Sequence, residues 1–246
     1  MQDAAAPREF NTTHWSLVLA AQTNPKDQAS KRSARKALES LCKAYWFPLY
    51  AFVRQRGNSS HDAQDLTQSF FATFIEKEGF AGADPKRGRF RSYLLGSLKH
   101  FLSHERERRA AKKRGGGVPL LEYDAKDLER RFVLEPFHSC DPDERFNREW
   151  AQAVNHRALK SLKQDFERRG KGAQFDAMKE SLTGVEPDWG GMAQRLGIGD
   201  GALKVAVHRF RKRYRERLRA ELAETVLDPR DVDDELRCLV AALLAQ

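Results

Sequence analysis

The chain has 246 residues, 40% of them hydrophobic and 32% charged, which is enough for one large or two small domains with a buried core. No apolar run approaches about 20 residues and the opening MQDAAAPREF has no apolar signal core, so a helical membrane span and secretion are excluded and a cytoplasmic protein is expected. Lys and Arg number 44 against 35 Asp and Glu, a net charge of +9 that favours a polyanionic partner, and Cys42, Cys140 and Cys238 are too scattered for a disulfide framework or a zinc site.

Residues 1–28 read as a leader and a short helix. Thr12 or Thr13 would cap that helix, and Trp15, Leu17, Val18 and Leu19 would cover a core. A strong helix follows over 29–56, where Leu38, Leu41, Cys42, Tyr45, Leu49, Phe52 and Val53 recur at helical spacing. Pro48 should kink or split it, and Gly57 should stop it. Ser59 or Ser60 then caps the next helix, DAQDLTQSFFATFIEKEGF. Leu66, Phe70 and Phe74 face its core side. Asp62, Asp65, Gln68 and Ser69 lie towards another side, a solvated polar face or a docking face for a large partner.

A loop over 79–88 contains Ala-Asp-Pro-Lys-Arg-Gly. From Arg89 the pattern is helical again, with Phe90, Tyr93, Leu94, Leu98, Phe101 and Leu102 among Arg89, Arg91, Lys99, His100 and His104. The end of this helix is densely basic, from Arg106 to Arg114. Rings interleaved with cations suit a nucleic-acid strand, because bases stack on rings while cations follow phosphates. Helical spacing would bury most of these rings in a core instead. His100 and His104 share a face at a spacing that can hold zinc, but no third ligand is evident.

Gly115-Gly116-Gly117 opens a flexible linker over 117–141, with a short helical turn near 126–131. A second helical domain begins near Pro142, with a stripe of Phe146, Trp150, Val154, Ala158, Leu159 and Leu162. A glycine-containing break at 168–172 and a helix through Phe175, Met178 and Leu182 follow. The stretch from Asp188 to Arg217 then reads as a helix-turn-helix: a helix to Leu196, a corner at Gly197-Ile198-Gly199, and a second helix opening at Asp200. Met192, Ala193, Leu196, Ile198, Leu203, Ala206 and Val207 fall on the inner faces. The outer face of the second helix carries Lys204, His208, Arg209, Arg211, Lys212, Arg213 and Arg215, the charge pattern of a major-groove reader. Beyond Asp228-Pro229, the tail is an amphipathic helix with Val232, Leu236, Leu239, Val240, Leu243 and Leu244 on one side.

The order of DAQDLTQSFFATF, DPKRGRFRSYLLGSLKHFLSHERERR and MAQRLGIGDGALKVAVHRFRKRY resembles the extracytoplasmic-function (ECF) sigma factors, the small two-domain members of the sigma-70 class. The likeness covers roughly 30–116 and 142–220. It implies an all-α fold of two small helical domains joined by a flexible linker. A leader (1–28) precedes a polymerase-docking and −10-binding domain (29–116), the linker (117–141), a −35-binding helix-turn-helix domain (142–228) and the amphipathic tail (229–246). It implies that Asp62, Asp65, Gln68 and Ser69 dock on core RNA polymerase. Lys86, Arg87, Arg89, Arg91, Tyr93, Lys99, His100 and Arg106 would contact the −10 side of promoter DNA. Lys204, His208, Arg209, Arg211 and Lys212 would contact the −35 side. An anti-sigma or other regulatory protein is a further candidate partner. The chain departs from the family where Ser69 replaces a frequent glutamate, where His100 replaces a frequent asparagine, and where Gly199-Asp200 opens a helix that a serine often opens.

No catalytic triad, metal cluster or nucleotide-binding glycine motif is present in the sequence, so no catalytic residue, metal or cofactor is expected. The expected function is therefore that of an initiation factor directing core polymerase to promoters and opening them. The alternative is a stand-alone helix-turn-helix regulator of duplex operators, which leaves the aromatic and basic N-terminal half unexplained. A nuclease would need acidic metal ligands that the sequence does not group.

Overall fold

The computed structural model describes residues 28–76, 89–111, 128–129, 132, 141–182, 186–226 and 229–244, and all regular structure among them is helical. Eight α-helices follow in order: α1 (Gln28–Gln55), α2 (Ser60–Glu76), α3 (Phe90–Ala111), α4 (Pro142–Arg168), α5 (Gly172–Met178), α6 (Trp189–Leu196), α7 (Asp200–Ala223) and α8 (Val232–Leu244). Short 3-10 turns lie at Lys179–Leu182 and Pro229–Asp231. No described helix is long and apolar enough to cross a membrane. The expected leader with its short helix, Cys140 and most of the 117–141 segment lie outside the described residues.

Contacts group the chain into two compact units, one of residues 1–150 and 223–232, the other of 151–222 and 233–246. The division falls inside α4, after Trp150, rather than at the sequence-predicted start of the second domain near Pro142. The cause is local to the first unit. Phe146 and Trp150 are buried there, and Asp143 and Asn147 accept hydrogen bonds from α3 side chains.

In the first unit, Pro48 does not split α1, which runs through it as one helix. Its missing N–H leaves one helical hydrogen bond unmade. Burial on every side offsets that loss, since Trp46, Leu49, Tyr50, Ala51, Phe52 and Val53 are all fully buried. Trp46 stacks on Phe71 of α2 with ring centroids 5.5 Å apart, and Phe70 meets Phe101 of α3 edge-on at 5.7 Å. Gly57 ends α1 with φ of 86°, a conformation other residues adopt only with strain. The cap of α2 is Ser59: its hydroxyl accepts from the Asp62 N–H at 3.1 Å and donates to the Asp62 carboxylate at 2.7 Å.

Part of the expected linker is not a free tether. Leu128 is buried, and the Glu129 carboxylate accepts from the Tyr50 hydroxyl at 2.8 Å and from the Arg54 guanidinium at 3.1 Å. Arg54 and Arg145 both lie over the Phe132 ring, at 4.7 and 4.2 Å. Burial, reinforced by Glu129, pushes the Tyr50 phenol up to about 12. The Arg54 guanidinium holds the Glu129 carboxyl below its ordinary range.

In the second unit the core consists of Leu162, Phe166, Phe175, Met178, Met192, Leu203, Val207 and Phe210. Phe166, Phe175 and Phe210 meet edge to face in a triangle with centroids 5.6–6.1 Å apart. This triangle ties α4, α5 and α7 together beneath α6.

Candidate nucleic-acid interface

The α6–α7 pair is built by its backbone chemistry. Asp188 precedes α6 and its carboxylate accepts from the Gly191 N–H at 2.9 Å. The fit is close: a Cβ on Gly191 would lie 2.1 Å from a carboxylate oxygen of Asp188. Gly197 ends α6 in the left-handed region (φ 63°, ψ 32°), and the Ile198 N–H returns to the Ala193 carbonyl at 3.2 Å. The Gly199 carbonyl accepts from Leu203 at 2.9 Å, starting α7 one residue later. Met192, Leu203 and Val207 are buried, and Ala193, Leu196, Ile198 and Ala206 pack against them. All seven positions predicted to face inward do so.

That packing decides what α7 shows to solvent. Lys204, His208, Arg209 and Lys212 are exposed on the side away from Leu203, Val207 and Phe210, and none of the four makes an ion pair or hydrogen bond with a described side chain. Arg211 differs from them: its Nε donates to the Ser181 carbonyl at 3.0 Å, tying α7 to the turn after α5. Further along, the polar groups are used internally. Tyr214 donates to Asn155 Oδ1 at 2.6 Å, Arg217 pairs with Asp165, and Arg157 pairs with Glu221 at 2.8 Å. Burial pushes the Tyr214 phenol up. Arg213 and Arg215 are exposed as well, Arg213 lying 5.8 Å from the Phe166 ring centroid, so the presented cations run along α7 from Lys204 to Arg215.

The polar residues of α2 also share a side. Asp65 and Ser69 are exposed, Asp62 and Gln68 are half-buried, and the opposite side holds Leu66, Phe70, Phe71 and Phe74. Asp62 is partly engaged by the Ser59 cap, and His61 Nδ1 lies 3.3 Å from Asp65. This is a compact acidic and polar patch of one helix, suited to a cationic protein surface.

The residues expected to contact the −10 side are divided among several places. Lys86 and Arg87 lie outside the described residues. Arg89 and Arg106 are exposed. Arg91 is a correction: it is buried, donates to Asn147 Oδ1 at 2.5 Å and stacks on Trp150 at 4.3 Å. Its part is to fasten α3 to the start of α4, and it is not presented to DNA. Lys99 is similarly engaged, with its ammonium 2.6 Å from Asp143, although the side chain remains partly exposed. The clue was in the sequence, because Arg91, Leu95, Leu98 and Leu102 follow one another at spacings of four, three and four on the buried side of α3.

Tyr93 and His100 face another way and line an open groove of about 790 Å³ between α2 and α3, floored by Phe70, Phe74 and Phe101. Gly96 leaves the middle of its wall bare, since a Cβ there would meet nothing within 4 Å. His100 and His104 bring their Nε2 atoms within 3.3 Å at its rim. Among the described residues they are not joined by further ligands into a metal-binding group. The groove combines aromatic side chains, on which bases can stack, with a polar rim of His100, His104 and the Arg108–Glu105 ion pair. Sequence spacing marked its residues as aromatic and basic but did not show that α2 and α3 leave a gap between them.

Comparison of the chain with family models, with curated proteins and with solved structures finds no match.

Proposed function

We propose that this protein is a sigma factor of the extracytoplasmic-function type, a non-catalytic subunit that gives core RNA polymerase its promoter specificity. The observation that carries the reading is the outer face of α7: four exposed cationic or imidazole side chains without ion-pair or hydrogen-bond partners among the described residues, opposite a stripe buried against α5 and α6. A helix anchored on one side and cationic on the other is suited to a major groove, with Lys204, Arg209 and Lys212 supplying phosphate or base contacts and His208 an imidazole contact.

The −35 side is assigned to Lys204, His208, Arg209 and Lys212, with Arg211 holding the helix in place. The −10 side is assigned to Arg89, Arg106, Tyr93, His100 and the aromatic groove, where an unstacked strand would find rings to stack on. The α2 patch around Asp65 is assigned to polymerase docking. No step in this scheme forms or breaks a covalent bond; the protein acts by binding one conformation of DNA better than another.

The test separates the parts. Asp65→Arg, which reverses charge on the exposed α2 patch, is expected to weaken binding to core polymerase at least ten-fold in a direct titration. Duplex binding by the same variant should be unchanged. Unchanged polymerase affinity would remove docking from this patch. Tight operator binding without any polymerase affinity in the unaltered chain would favour a stand-alone regulator.

A further inference from the structure

Val205 stands out on the cationic face of α7. Among the described residues only Val205, Val240 and Leu244 are large apolar side chains left exposed, and the last two lie near the end of α8. Val205 is 49% exposed and sits between Lys204 and the His208-Arg209 pair. It lies on the helix side opposite the stripe of Leu203, Val207 and Phe210, in line with Gly201 one turn before it and close to the line of Lys212 two turns after it. Gly201 has no side chain and open space around it, so nothing one turn earlier shields the valine methyls.

A valine here does nothing for the helix. It is a poorer helix former than the Ala, Lys or Glu that solvated faces favour, and its apolar surface remains in water. Its branched side chain is, however, nearly fixed at χ1 in a helix, so its methyl groups hold one position. In the major groove, the one methyl group on any base edge is the C5-methyl of thymine.

We propose that Val205 is a specificity-determining residue that reads a thymine methyl in the duplex element bound by α7, with the surrounding cations fixing the register on the phosphates. This rests on the assignment of α7 to the major groove, and it adds a base identity to it.

The experiment uses the full chain bound to core polymerase, with the chain alone in parallel, to enrich duplexes from a random-sequence pool. Each thymine of the enriched upstream element is then replaced singly by deoxyuridine, which removes only the methyl group. At one position the unaltered chain should lose about four-fold in affinity, the effect of one apolar carbon left uncovered. Val205→Ala, which favours the helix and so keeps the fold, should bind the thymine and uracil duplexes equally. Indifference of the unaltered chain to every replacement would overturn the proposal, as would persistence of the effect in Val205→Ala. If neither arm enriches a duplex, or if Arg209→Ala binds the enriched duplex as well as the unaltered chain, the assignment of α7 to DNA fails and the proposal with it.

Discussion

Single side chains in this protein do work that their residue types do not announce. Gly191 is fitted to its neighbour, since the capping carboxylate of Asp188 occupies the space its Cβ would take. Asp188→Ala removes that cap and should cost about 1 kcal/mol, seen as a melting temperature about 2–4 °C lower. An unchanged melting temperature would mean that the cap contributes nothing to stability. Glu129 is held in its ionised form by Arg54, so its folded-state pKa lies below its ordinary 4.5. The unfolded chain then binds the proton more readily, and the stabilisation from this group is complete above about pH 4.5 and lost as pH falls through the folded value. Stability measured against pH should therefore decline over that acid window in the unaltered chain, and Glu129→Gln should flatten this part of the curve. An identical decline in both proteins would place the titrating group elsewhere.

At the scale of the helix, α7 separates anchoring cations from presented ones. Arg209→Ala should leave the melting temperature unchanged and weaken duplex binding by roughly ten-fold or more, the range for loss of one bidentate base contact. Arg211→Ala should instead lower stability, because the Ser181 carbonyl loses its donor. Equal effects on DNA from both variants, without a stability difference, would contradict this division. Helical spacing made the buried side of α7 legible in the sequence, since Leu203, Ala206 and Val207 recur on one face and the break at Gly197 sets where that face begins. It did not distinguish Arg211 from Arg209, because Arg211 is held by a backbone carbonyl thirty residues earlier and a helical wheel carries no such partner. Arg91 shows the same limit on α3. Its spacing with Leu95, Leu98 and Leu102 placed it on the buried side, but its cationic character argued for a DNA contact. The partners that bury it, Asn147 and Trp150, lie far along the chain. Pro48 is a third instance: of the kink or split it allows, the split does not occur, because the fully buried side chains around it carry the helix through.

For the whole molecule, the sequence carried the all-helical class through periodicity and through cap signals at Ser59 or Ser60 and at Gly197. It carried less of the organisation along the chain. The Gly-rich opening of the 117–141 segment resembled a tether, yet Leu128 and Glu129 are packed and bonded within the first unit. The start of α4 groups with that unit because α3 supplies partners to Asp143 and Asn147. The candidate site is likewise spread over separate helices, with an acidic patch on α2, a ring-lined groove between α2 and α3, and a cationic face on α7. A protein that only bound operators would need the last of these alone, whereas a polymerase specificity subunit would use all three. The most direct measurement is run-off transcription with purified core polymerase on templates carrying duplexes enriched by the full chain. The account predicts transcripts with one defined start downstream of the enriched element, dependent on this protein and strongly reduced by Asp65→Arg and by Arg209→Ala. Firm duplex binding by the protein with no polymerase association and no protein-dependent transcript would contradict it.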